Sequence, residues 1–205
     1  MEHREISKAS LGRIPLYLKY LKKLPPETLT VSATTVAKDL GLGDVQVRKD
    51  LAAMCGNGKP KIGYIKNNLI CSLERFSGCE NGKTIIIGAG KLGMALLEYS
   101  GFEEYGCTVA AAFDKKVTEP IKLDSGKVIY PMEDLYRFCR ENDIKIGIIA
   151  VPADAAQTVL NILCENGIKN IWTFAPVKLY KPADVFIRYE NLALSLAHLK
   201  SQIIE

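Results

Sequence analysis

Along the first part of the chain, apolar residues recur at helical spacing. Leu11, Ile14, Leu18 and Leu21 repeat every three to four positions until Pro25-Pro26, which predicts a first helix ending there. Ser32 is placed to cap a short second helix through Ala37 and Leu40, after which Gly41 supplies the left-handed residue of a tight turn. Asp44 is read as the cap of a third helix. It carries Val47, Leu51 and Met54 on one face, with Gln46, Arg48, Lys49 and Ala53 around the rest. Short helix, glycine turn and longer helix follow one another in helix-turn-helix order. The stretch Gly58-Lys59-Pro60-Lys61-Ile62-Gly63-Tyr64-Ile65 is too rich in Gly and Pro for a helix and suits a turn with a short strand, a wing. A fourth helix is predicted from a cap at Asn67 or Asn68, with Leu69, Leu73 and Phe76 inward.

The period changes after Gly78-Cys79-Glu80-Asn81-Gly82, the best linker candidate. Strand runs at Thr84 to Ile87, Thr108 to Phe113, Ile146 to Val151 and Asn170 to Phe174 alternate with helical patterns at Leu92 to Tyr99, Met132 to Glu141 and Ala153 to Glu165. Continuous apolar strands alternating with helices imply a parallel sheet covered on both faces. A last helix carries the stripe Leu192, Leu196, Leu199 and Ile203. The fold class expected is therefore α/β: a winged helix-turn-helix over 1–80, a doubly wound parallel-sheet domain over 81–186 and a terminal helix over 187–205.

Gly88-Ala89-Gly90-Lys91-Leu92-Gly93 follows the first of these strands directly and opens the next helix. In that context Gly88 permits the tight turn, Gly90 lets the main chain approach a pyrophosphate, and Gly93 lets helix and strand pack closely. The helix start offers unpaired N–H groups to the anion. Asp114 ends the second strand, where its carboxylate can accept hydrogen bonds from ribose hydroxyls and would repel a 2′-phosphate. The pattern is that of a Rossmann domain for NAD(H). Coenzyme A, which uses a similar glycine turn, is the competing ligand.

Charge divides unevenly. Residues 1–80 hold thirteen Lys/Arg against eight Asp/Glu, whereas the remainder holds fourteen against fifteen. The basic excess falls on the helix-turn-helix, as expected of a nucleic-acid-binding module. Gln46, Arg48 and Lys49 lie in the first turns of the third helix, the part such a motif presents to base edges in the major groove. Gln can pair with adenine and Arg or Lys with guanine, while Lys59 and Lys61 on the wing would reach the DNA backbone or minor groove.

Other classes are poorly served. The longest apolar runs are strand-length, so no membrane span is expected. Met1 to Lys8 is charged with no apolar stretch directly after it, so no leader is expected and the protein is placed in the cytoplasm. Cys55, Cys71, Cys79, Cys107, Cys139 and Cys164 form no C-x-x-C pair, and only His3 and His198 could join them, which argues against a metal site and for reduced, apolar cysteines. A small NAD(P)-dependent oxidoreductase is the alternative class. It would need a proton donor beside the nicotinamide, for which Tyr99, Lys178 and Tyr180 are the candidates, and no spare domain remains to hold a substrate.

Across nearly its whole length the chain resembles the Rex-type redox-sensing transcriptional repressors. The resemblance rests on Gly12-Arg13-Ile14-Pro15-Leu16-Tyr17-Leu18, on Gln46-Val47-Arg48-Lys49-Asp50-Leu51, and on the glycine turn from Gly88 to Gly93. Further matches are Ala111-Ala112-Phe113-Asp114, Ile149-Ala150-Val151-Pro152-Ala153 and Phe174-Ala175-Pro176-Val177. It implies a homodimer whose C-terminal helix swaps into its partner, bound to a pseudo-palindromic double-stranded operator. It implies that NADH releases the DNA whereas NAD⁺ permits binding. The same resemblance places Tyr99, Val151, Pro152 and Ala153 near the cofactor and Arg13 in an interdomain contact that changes with ligand. Two positions depart from the family pattern. Many members carry an Arg-Gly-x-Gly-Tyr wing where this chain has Pro60-Lys61-Ile62-Gly63-Tyr64. Many carry Asp near the start of the final helix where this chain has Asn191, whose neutral amide cannot make the charge-assisted bond to Arg13 that a carboxylate could.

Overall fold

The computed structural model describes residues 6–77 and 82–201, so most of the expected linker and Ile203 lie outside the described residues. The chain divides into two compact units. One is Met1–Asn81 together with Glu103–Gly106, and the other is Gly82–Phe102 with Cys107–Glu205.

In the first unit, helix α1 (Lys8–Lys23) starts at Ser7, whose hydroxyl accepts from the Ser10 amide. Strand β1 (Thr30–Val31) leads to α2 (Ala33–Leu40), capped by Ser32 through the Thr35 amide and closed by Gly41 at φ +64°. Helix α3 (Asp44–Cys55) follows after two residues and buries Val47, Asp50, Leu51 and Met54. Its cap is Gly43 rather than Asp44. Asp44 is instead the first helical residue, where its carboxylate accepts from Thr34 Oγ1 at 2.8 Å and Arg48 Nη2 at 2.6 Å. Strand β2 (Tyr64–Ile65) pairs antiparallel with β1 and runs straight into α4 (Lys66–Ser77), which therefore starts before the Asn67 or Asn68 cap expected. Leu69 and Leu73 of α4 join Ile14, Tyr17, Leu21, Val36, Val47 and Leu51 in the core. Phe76, expected inward, is 42% exposed. It follows Leu73 at helical spacing, but it stands in the last turn of α4.

In the second unit, β3 (Lys83–Ile87) is the central strand, between β4 (Thr108–Asp114) and β7 (Ile144–Ile149), both parallel to it. Beyond β4 lie β6 (Val128–Pro131) and the antiparallel edge strand β5 (Ile121–Lys122). Beyond β7 lie β8 (Asn170–Thr173) and β9 (Phe186–Tyr189), both parallel. The order β5-β6-β4-β3-β7-β8-β9 reverses its direction of growth between β3 and β7. Alternation along β3 feeds two cores. Ile85 and Ile87 pack with Leu135 of α6 (Leu135–Glu141) and with Val159, Leu160 and Leu163 of α7 (Ala153–Glu165). Ile86 faces Leu97 of α5 (Lys91–Leu97), with Phe102 and Trp172 partly buried beside it. Burial on both faces makes the strand a continuous apolar run. Strand β9 crosses the expected 186/187 boundary, pairing Phe186 to Tyr189 with Asn170 to Thr173, so the sheet extends to Tyr189. The final helix α8 (Leu192–Ser201) begins after it.

Candidate nucleotide and DNA sites

A reversal of strand order in an open parallel sheet leaves a crevice at the carboxyl ends of the strands on either side. Here those ends are Ile87-Gly88 and Ile149-Ala150. They are laced together by Ala150 N–H donating to Ile87 O at 2.9 Å, and by Gly88 N–H donating to Phe113 O at 2.8 Å on the other side. The three glycines of the turn have different reasons to be there. Gly88 sits at φ +101°, and a Cβ on it would lie 2.7 Å from Ala150 O and 2.8 Å from Val151 Cγ1. On Gly93 a Cβ would collide with the Gly88 carbonyl. Both are required by packing alone. Gly90 is not: it has an ordinary φ of −70° and nothing within 4 Å of where a Cβ would stand. Its lack of a side chain keeps open the space in front of the first amides of α5, which have no intrahelical acceptor.

Asp114 lies beside this turn. Its Oδ2 accepts from the Ala89 amide at 2.8 Å and its Oδ1 from the Lys116 amide at 2.9 Å. Each oxygen keeps a second lone pair, so the carboxylate both braces the glycine loop and can still accept from two ribose hydroxyls. Lys91 is exposed at the loop. Leu92 is half-buried beneath it. Across the crevice, Val151 packs against Gly88, while Pro152 caps α7 and Ala153 opens it, both exposed. Tyr99 is not brought to the turn by its own chain. It follows α5 at the opposite end, about 10 Å of helix away, and stands 59% exposed with its ring edge-on to Phe102 at 4.9 Å. Tyr180 is exposed in a loop tied to α7 by two bonds with Gln157, and Lys178 is exposed nearby in sequence.

On α3, Gln46, Arg48 and Lys49 are all exposed. Arg48 is paired with Asp44 one turn back, an exposed contact of small energy that phosphate could displace. Val45, missed in the sequence because it lies off the Val47–Leu51–Met54 face, is 64% exposed on the same helix start and offers an apolar contact of the kind a thymine methyl takes. The wing closes through paired amide bonds between Lys59 and Gly63, both 2.8 Å. Lys61 adopts φ +63° at its tip, and both lysines are exposed. Gly63 at φ +81° has the Val31 carbonyl where a Cβ would be, which fixes the wing against β1.

Arg13 is held within this unit. Its Nε and Nη2 donate to the two oxygens of Asp50 at 2.7 and 2.9 Å, and the Tyr17 hydroxyl donates to Asp50 at 2.6 Å. Within this unit Arg13 thus clamps α1 to α3. Asn191 has its own role, its Oδ1 accepting from the Leu194 amide at 2.9 Å as the cap of α8. Asp50 was missed in the sequence; the signal available was a carboxylate on the inward face of α3, between Val47 and Leu51. Burial alone would raise the Asp50 carboxyl. Hydrogen bonds from Arg13, Tyr17 and Ser10, with the Arg13 charge, outweigh it and hold the group below its usual 3.8. Because the folded value lies below the unfolded one, the contribution of the clamp is complete above the unfolded value and is lost as pH falls through the folded one. Asp50→Asn is accordingly expected to flatten the acid limb of a stability profile below the usual carboxylate value of 3.8, measured by thermal unfolding. An unchanged acid limb would show that Asp50 does not set it.

Burial raises the thiols of Cys55, to about 11, of Cys139 and of Cys164, so these are poor thiolates at neutral pH. Among the described residues no cluster of three His, Cys, Asp or Glu side chains could hold a metal.

A winged helix joined to a doubly wound sheet with an open glycine turn defines the class of nucleotide-responsive DNA-binding regulators. The family model described as putative DNA-binding protein N-terminus matches residues 5–52, and that described as CoA binding domain matches residues 79–177. The redox-sensing transcriptional repressor Rex of Desulforamulus reducens is 34% identical, over 96% of this chain and 94% of its own length. That of Treponema denticola is 38% identical, over 93% and 91%. Among solved structures, the Rex-family repressor RSP in complex with β-NAD⁺ and operator DNA superposes with a TM-score of 0.81 at 32% identity, over 97% of this chain and 92% of that one. RSP in complex with β-NADH gives 0.74 at 31%, over 97% and 94%. The chain belongs to the Rex family of redox-sensing transcriptional repressors.

Proposed function

We propose that the chain is a redox-sensing repressor that binds operator DNA as a homodimer and lets go when NADH occupies the glycine turn. It is a transcription regulator and not an enzyme. The observation that carries the nucleotide half is Gly90: packing accounts for its two neighbours in the motif but not for it, and an approaching pyrophosphate does. Gly88, Ala89, Gly90, Lys91, Leu92 and Gly93 form the phosphate loop, Asp114 receives the ribose, and Val151, Pro152 and Ala153 line the opposite wall. Tyr99, distant from the turn in its own chain, is assigned to the site as completed in the dimer. Gln46, Arg48 and Lys49 enter the major groove, with Lys59 and Lys61 on the flanking backbone. Residues 1–80 bind DNA, 81–186 with the rest of β9 bind NAD(H), and the terminal helix dimerises. The place of action is the cytoplasm, and among the described residues no helix is long and apolar enough to cross a membrane.

Two copies reading successive major-groove faces suit a pseudo-palindromic site. NADH and NAD⁺ differ in the positive charge on the nicotinamide ring, so an apolar pocket favours the neutral form. A hundredfold preference corresponds to about 2.7 kcal/mol of coupling, enough to tilt a balanced two-state dimer. Arg13 and Asn191 are assigned to the switch with a changed wiring, Arg13 acting through Asp50 on α3.

The match to a CoA binding domain keeps a second ligand in view. Coenzyme A carries a phosphate on its ribose, which Asp114 would repel. Asp114→Ala is therefore expected to weaken NADH binding about tenfold in calorimetry and to leave any coenzyme A binding intact or improved. Tighter wild-type binding of coenzyme A than of NADH would replace the ligand assignment.

A further inference from the structure

Gln46 stands on the exposed side of α3, in its first turn, where its residue type suggests an adenine partner. A two-point adenine contact uses both ends of the amide: the NH2 group donates to N7 and the carbonyl accepts from N6. The structure occupies the carbonyl end. The Arg13 guanidinium lies against the Gln46 amide, with Nη1 at 2.9 Å, Nε at 3.1 Å and Nη2 at 3.3 Å. A guanidinium has only donors, so the amide oxygen is the atom that faces it. Arg13 is not free to turn aside. Its Nε and Nη2 are bound to Asp50, which is 4% exposed and also takes the Tyr17 hydroxyl. Three nearly equal distances set the Gln46 oxygen over the face of the guanidinium, where the delocalised positive charge attracts it.

Resting on the reading of α3 as the recognition helix, we propose that this relay turns Gln46 into a donor-only reader selecting guanine over adenine. Its outward NH2 group meets acceptors at both O6 and N7 of guanine, whereas on adenine it would confront the N6 amino group. Arg13, Asp50 and Tyr17 are positioning residues, and Gln46 is the residue that determines specificity. The preference arises on α1, one helix away from the groove.

The test uses the full chain. It first selects a duplex from a random-sequence pool at low ionic strength. That site is then resynthesised with 7-deazaguanine at each guanine in turn, or with purine, which lacks the N6 amino group, at each adenine. At one guanine per half-site the 7-deaza change is expected to weaken wild-type binding about tenfold and to leave Gln46→Ala binding unaltered. No adenine should show a Gln46-dependent loss when N6 is removed. A Gln46-dependent loss at an adenine, or none at any guanine, overturns the inference and leaves the DNA-binding reading standing. Failure to enrich any duplex overturns that parent reading and this one with it. In the double variant Arg13→Met/Asp50→Asn, the guanine-over-adenine preference at the same position is expected to fall from about tenfold toward none. An undiminished preference would refute the relay, and the analogue series on the wild-type chain decides the guanine assignment however well that variant folds.

Discussion

Gly90→Val is expected to weaken NADH binding by about a hundredfold, about 2.7 kcal/mol, while thermal unfolding stays at the parent value. The expectation follows from the empty space beside Gly90: an added Cβ meets nothing within 4 Å, so branching there is expected to cost little packing, but it stands where the pyrophosphate must approach. Gly93→Ala is the counterpart. Its Cβ would collide with the Gly88 carbonyl, so α5 must move away from β3, at a cost of about 1–3 kcal/mol of stability. One glycine therefore reports on ligand and the other on fold, and calorimetry paired with unfolding curves separates them. If Gly90→Val bound NADH like the parent, the cofactor would have to lie elsewhere.

The second large effect is expected on α8. Leu192, Leu194, Leu196 and Leu199 are 61–69% exposed in the single chain, on a helix apolar on more than one side. A helix of that kind is stable in water when something covers it, and the cover proposed above is the second copy of the homodimer. The double variant Leu196→Asp/Leu199→Asp removes two leucines that the dimer would bury, each worth about 1.5–3 kcal/mol, and puts charge in their place. Dimer dissociation is expected to strengthen by at least two to four decades, roughly 3–6 kcal/mol, in sedimentation equilibrium, and operator affinity should fall with it. A variant that stays dimeric would locate the dimer interface on another surface.

What could be read from the sequence was set by nearest neighbours along the chain. Ser32 and Gly41 fix the ends of α2 through bonds to residues three or four away, and the Gly88 turn announces itself because strand, glycines and helix are contiguous. Strands β6 and β9 are four residues each and were not foreseen. Val128 to Pro131 and Phe186 to Tyr189 are too short to show a period, and they become strands only because β4 and β8 offer them an edge. Asp44 and Asp50 illustrate the same limit at the site. An acid before a helix reads as a cap, yet Gly43 takes that position because the Asp44 carboxylate is held by Thr34 and Arg48. The Arg13–Asp50 clamp joins residues 37 positions apart, a distance over which spacing says nothing. The candidate DNA-reading side chains were legible as exposed residues on a periodic helix. What each amide or guanidinium end has left to offer was not, since that depends on the partner across the fold.

Release by NADH is tested most directly by operator affinity measured with NADH and NAD⁺ in parallel, at one fixed salt concentration, on a duplex selected by the purified chain. NADH is expected to weaken the complex by at least tenfold (about 1.4 kcal/mol) while NAD⁺ at the same concentration leaves it in place. Equal affinity in both, or weakening by NAD⁺ alone, would contradict it.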